Sequence, residues 1–212
     1  MPVKPDSQPR WSDLFRASAR WTNYEDLRSF RGQTITWMQP EDRIHAVLLI
    51  QKRPAFEHLA PGLAERSIAT CLVPYPTPNL RICEAIERLG RALGAQPFWL
   101  GDLDPIGLMA FAILREHSVR YAGIDDRWLR RVERASSSRK ERTLISMGEE
   151  ERWHFEQLAR LVKDLRAIIG PRSYDLLASG TKVEVEGLMT ITPTSLAQGP
   201  SLVARRIRAE LA

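Results

Sequence analysis

PFWLGDLDPIGLMAFAILREH, residues 97–117, changes period in its middle. Pro97–Gly101 is a short apolar run suited to a buried strand. Pro105–His117 places Ile106, Met109, Ala110, Ile113 and Leu114 at helical spacing. Pro105 suits the first turn of that helix, and Asp104 is placed to cap it. The same alternation continues on both sides. Upstream lie a strand at Ile44–Ile50 (IHAVLLI), a helix at Pro54–Arg66 interrupted near Pro61, a strand at Ser67–Val73 and a helix at Leu80–Leu93 stopped by Gly94. Downstream lies a strand at Val119–Ile124. The order β-α-β-α-β-α-β predicts an α/β, Rossmann-like fold, with four parallel strands, flanking helices and right-handed crossovers. Functional groups then belong at the carboxyl ends of the strands.

Composition narrows the class. The chain has 212 residues, and 31 Lys+Arg less 26 Asp+Glu give a net charge of +5. With 43% hydrophobic residues it is too apolar for a long disordered chain. The longest apolar runs, Ala46–Ile50 and Leu108–Leu114, fall far short of a membrane span. Met1–Arg10 is polar and proline-rich, unlike a secretory signal. Cys71 and Cys83 are too few for a disulfide scaffold or a four-cysteine zinc site. A reduced cytoplasmic protein with no membrane association is expected.

Three regions follow: an aromatic and basic arm over 1–42, a core over 43–126 and a helical extension over 127–212. The arm interleaves Trp11, Phe15, Trp21, Tyr24, Phe30 and Trp37 with Arg10, Arg16, Arg20, Arg28 and Arg31. It reads as an irregular or weakly helical segment docked on the core, and the same pattern also suits base stacking. The extension predicts a helix at Asp125–Ala135, a polar linker at Ser136–Arg142, a long helix at Gly148–Ile169, short elements at Tyr174–Ala178 and Lys182–Met189, and a terminal helix at Ser201–Leu211. Arg127–Arg142 carries seven basic residues against Glu133 and Glu141. That stretch is either a solvated surface or a phosphate contact.

Asp102 and Asp104 sit where the third predicted strand ends. Residues two apart on an extended segment share a side, about 7 Å apart. Two carboxylates that close repel unless a proton or cation intervenes. Mg²⁺, which takes oxygen ligands, suits them. The same string also serves as a plain cap and turn. Lys52 and Arg53, after the first strand, are placed to meet a phosphate. Lys182 and Glu186, four apart, suit an ion pair on a helix. His45, His58, His117 and His154 show no ligand spacing, and no glycine-rich phosphate loop is present.

Three segments carry a family resemblance. Ala46–Leu59 (AVLLIQKRPAFEHL), Gly101–Leu108 (GDLDPIGL) and Lys182–Leu188 (KVEVEGL) resemble the first strand and helix, the DxDPxG turn and the following KxExEAL-like helix of Toprim domains. The nearest branch holds the topoisomerase VI A subunit, the meiotic double-strand-break protein and the Wadjet nuclease subunit. Ala122–Ile124 is similar to the strand closing that core. The resemblance implies that Asp102 and Asp104 bind Mg²⁺, or Mn²⁺ in its place. It implies phosphodiester cleavage of DNA, with an ATPase or SMC-like subunit as partner. In the family an acidic residue ends the first strand, where this chain has Gln51. A neutral amide cannot take a proton as a carboxylate can. Glu57 is the nearby carboxylate that could compensate. The implied catalytic set is thus Asp102, Asp104, Gln51 and Glu57, with Lys52, Arg53, Arg130 and Arg131 toward nucleic acid. The alternative is a degenerate relative that binds nucleic acid or a partner subunit without cleaving. Tyr24 lacks the winged-helix setting of the family's nucleophile, so covalent cleavage is not expected.

Overall fold

The computed structural model describes residues 15–21, 24–29, 34–38, 40, 43–73, 80–133, 143–190 and 193–212. Strands β4 (Ala46–Ile50), β5 (Ile68–Leu72), β6 (Gln96–Leu100) and β7 (Arg120–Tyr121) form a parallel sheet, in the order β5-β4-β6-β7. Every residue of β4 is buried, as a central strand covered on both faces requires. Helices α1 (Arg53–Ala64), α2 (Leu80–Leu93) and α3 (Pro105–Arg115) follow β4, β5 and β6. The α/β fold is therefore the expected one. Pro61 removes one helical hydrogen bond, yet α1 runs on to Ala64 with Phe56, Leu59 and Leu63 buried.

The arm departs from expectation. Before β4 come β1 (Phe15–Trp21), β2 (Tyr24–Ser29) and β3 (Thr34–Met38), an antiparallel meander. β3 pairs antiparallel with β5, so the main sheet has seven strands among the described residues. Its docking is by strand addition and not by an irregular or helical face. The side chains of 1–37 lie outside the described residues, as do the linker at 136–142 and its basic groups.

The extension also differs in detail. β7 is only two residues long: Ala122 still donates to the Trp99 carbonyl at 2.9 Å, but Gly123–Ile124 bend, with Tyr121 Oη donating to the Ile124 carbonyl at 2.9 Å. Helix α4 (Asp126–Glu133) precedes a small antiparallel pair, β8 (Leu144–Ser146) with β9 (Thr181–Val183). The single helix expected over Gly148–Ile169 is two, α5 (Glu149–Leu161) and α6 (Leu165–Ile169). Val162, at φ −101° and ψ 86°, leaves the helical region between them. Asp164 is held there by Arg115, with two 2.8 Å bonds. Helices α7 (Pro171–Ala178), α8 (Val185–Thr190) and α9 (Pro193–Leu211) complete the chain. Lys182–Met189 is thus a strand entering a helix and not one helix. Val203, Ala204 and Ile207 bury one side of α9, and Pro200 lies against Gly62 of α1.

Candidate functional site

The first strand of the parallel sheet, β4, has β5 on one side and β6 on the other. The chain therefore reverses direction across the sheet between β4 and β6. Such switch points leave a crevice outside the carboxyl ends of the two strands. Ile50 and Leu100 are in register, so Gln51-Lys52 and Gly101-Asp102 leave the sheet side by side.

A third segment closes the crevice. Leu103 and Val183 exchange backbone hydrogen bonds of 2.9 and 3.1 Å. This bridge brings Glu184–Glu186 against the DxD turn. Asp102, 6% exposed, accepts from the Val185 N–H at 2.8 Å through Oδ1. Its other oxygen is 2.9 Å from Lys52 Nζ. The same ammonium is 3.4 Å from Glu184 and 3.2 Å from Glu186. Three carboxylates from two distant stretches thus surround one lysine. Partial burial opposes the lysine's charge, but the hydrogen bond and charge of Asp102, with Glu186 and Glu184, outweigh it. The lysine therefore titrates well above its ordinary range.

Asp104 has a different task. Its Oδ1 accepts from the Gly107 N–H at 2.6 Å, which caps α3. Burial, with the Asp102 charge nearby, pushes its carboxyl up to about 6, against the Gly107 bond and the charges of Lys182 and Lys52. Trp99, fully buried on β6, donates through Nε1 to the Gly107 carbonyl at 3.1 Å. A Cβ on Gly107 would lie 2.6 Å from the Asp102 carbonyl oxygen, so the turn is built around a glycine.

Of the expected site residues, Lys52 and Asp102 meet directly, with Asp104 beside them as a cap. Gln51 is buried at the end of β4, 8% exposed. Glu57 and Arg53 point away into an exposed ion pair of 3.6 Å on α1. Arg130 and Arg131 lie on α4, with the Arg131 guanidinium 6.0 Å from the Trp128 ring centroid. Lys182 is salt-bridged to Glu151 and not to Glu186 as helical spacing suggested. Glu184, just before α8, and Glu186, in its first turn, were not legible as a pair, since residues two apart do not share a helix face.

The Mg²⁺ or Mn²⁺ ion that the family resemblance implies does not fit this arrangement. The carboxylate oxygens of Asp102, Glu184 and Glu186 converge on an ammonium, and a divalent ion there would have to displace it. Among the described residues no group of three or more His, Cys, Asp or Glu side chains is arranged to hold a metal. No family model and no curated protein matches the chain.

Proposed function

We propose that this chain is a Toprim-like protein that binds nucleic acid, as one subunit of a larger DNA-processing assembly, without cleaving phosphodiesters. One observation carries the reading: Lys52 Nζ sits 2.9 Å from Asp102 and within reach of Glu184 and Glu186, filling the crevice with a cation from the chain itself. Gln51 supports it, because it offers no carboxylate at the strand end where a proton acceptor would stand. The ammonium balances carboxylates that would otherwise repel both one another and a nucleic-acid backbone. The excess of basic residues supplies the general attraction.

Metal-dependent cleavage is the second reading, favoured by the position of Asp102 and Asp104 at the switch point. Incubation with supercoiled plasmid in Mg²⁺, in Mn²⁺ and in chelator separates the two. Retention of intact DNA in all three is expected. Nicking in metal that disappears in Asp102→Ala establishes the second reading, and failure to retain DNA in any condition rejects both.

A further inference from the structure

A cleft of about 220 Å³ lies between α4 and α9, away from the β4–β6 crevice. It is lined by Arg127 and Arg131 from α4, Arg205 and Arg206 from α9, and by Trp128 and Asp125. Four arginines less one aspartate leave this lining at 4 − 1 = +3. Arg127 and Arg131 are four apart on α4, so both guanidinium groups reach the cleft from one side of the helix.

The Asp125 carboxylate forms no ion pair with Arg127 or Arg205 among the described residues. One Asp125 oxygen caps α4, accepting from the Arg127 and Trp128 N–H groups at 2.9 and 3.4 Å. Its other oxygen is 3.4 Å from Arg206, which also reaches Glu210 at 3.0 Å. Arg206 is thereby fixed, yet its buried Nε has no hydrogen-bond acceptor among the described residues. Arg127 and Arg205 are exposed and make no ion pair among the described residues. The buried Trp128 ring lies under the Arg131 guanidinium and orients it.

We infer that this cleft binds a phosphate group. Guanidinium forks from two helices approach from different directions, and phosphate presents oxygens to several forks where a carboxylate presents one edge. The phosphate can come from a nucleic-acid backbone or from a free nucleotide, and both present the same chemistry. The cleft shares no residue with the crevice around Lys52, so this inference stands apart from the function proposed above.

The test measures binding of a labelled DNA oligonucleotide by anisotropy over a salt series, and of pyrophosphate and a mononucleotide by calorimetry. The proteins are the full chain, the double variant Arg127→Ala/Arg205→Ala, and Arg160→Ala as a control outside the cleft. The double variant is expected to lose affinity by about tenfold per arginine. On the oligonucleotide its log–log salt slope is expected to fall by about one per arginine. Its thermal midpoint stays unchanged because both side chains are exposed, and Arg160→Ala behaves as the native chain. Loss on the oligonucleotide alone identifies a backbone phosphate, and loss on pyrophosphate or mononucleotide as well identifies a free one. DNA, pyrophosphate and mononucleotide all bound equally by native and double variant overturn the cleft, and the DNA binding leaves the proposed function standing. Pyrophosphate bound through these arginines without DNA binding does the reverse. Binding of no probe overturns the cleft too.

Discussion

At the residue scale, Asp102 and Asp104 are two residues apart and do opposite work. Asp102 is satisfied by a backbone N–H and an ammonium. Asp104 is half-buried and accepts from the Gly107 N–H, and desolvation still disfavours its charged form. Its folded pKa of about 6 lies above the ordinary 3.8. At pH below 3.8 the group is protonated in both states and costs nothing. As pH rises toward 6 the unfolded chain ionises first, and the folded state loses stability. Asp104→Asn keeps the capping oxygen and removes that cost. It is expected to stabilise the protein by about 1–3 kcal/mol at neutral pH and hardly at all near pH 4. Urea unfolding at both pH values checks this, and equal gains at both contradict the assignment. Lys52→Ala acts in the other direction. It leaves three carboxylates without their cation, and the expected loss is about 1–3 kcal/mol, discounted from a fully buried pair because the lysine is partly exposed. A midpoint within error of native would mean that the lysine balances nothing.

At the element scale, the site depends on a turn and a bridge. The β6–α3 turn admits no side chain at residue 107, because a Cβ there would meet backbone at 2.6 Å. Gly107→Ala is therefore expected to cost about 1–3 kcal/mol, seen as a lowered thermal midpoint. An unchanged midpoint would show the turn to be slack. The core elements were legible because their signals are local. AVLLI is an unbroken apolar run, Leu80–Leu93 is followed by a glycine, and the Asp-Pro pair opens α3. The Leu103–Val183 bridge was not legible, since it joins segments eighty residues apart and each hydrogen bond is between backbones. That bridge converts Glu184 and Glu186 from a helical charge pattern into walls of the crevice. Lys52 lies after the first strand, as the spacing predicts, and its ammonium meets Asp102, Glu184 and Glu186. No local pattern reports which distant carboxylates will reach a flexible lysine. The break at Val162 was missed for a similar reason, because the apolar spacing continues across it while Asp164 is drawn out to Arg115.

At the scale of the whole molecule, the N-terminal strands complete the sheet. β3 covers the outer edge of β5, which otherwise offers unpaired N–H and C=O groups to another chain. Deleting residues 1–42 is expected to produce oligomers or aggregates in size-exclusion chromatography. A monomeric, fully folded truncation would show that β5 tolerates an open edge. The charge is also divided by place: acidic groups with one lysine fill the crevice between β4 and β6, while arginines gather between α4 and α9. Lys52 stands where a metal would. Calorimetric titration of Mn²⁺ into the native protein and into Lys52→Ala tests this most directly. No specific binding to the native chain is expected, and a measurable site in the variant, with thermal stability partly restored by Mn²⁺ but not by sodium chloride of equal ionic strength. Specific binding to the native chain that Asp102→Ala abolishes would contradict it.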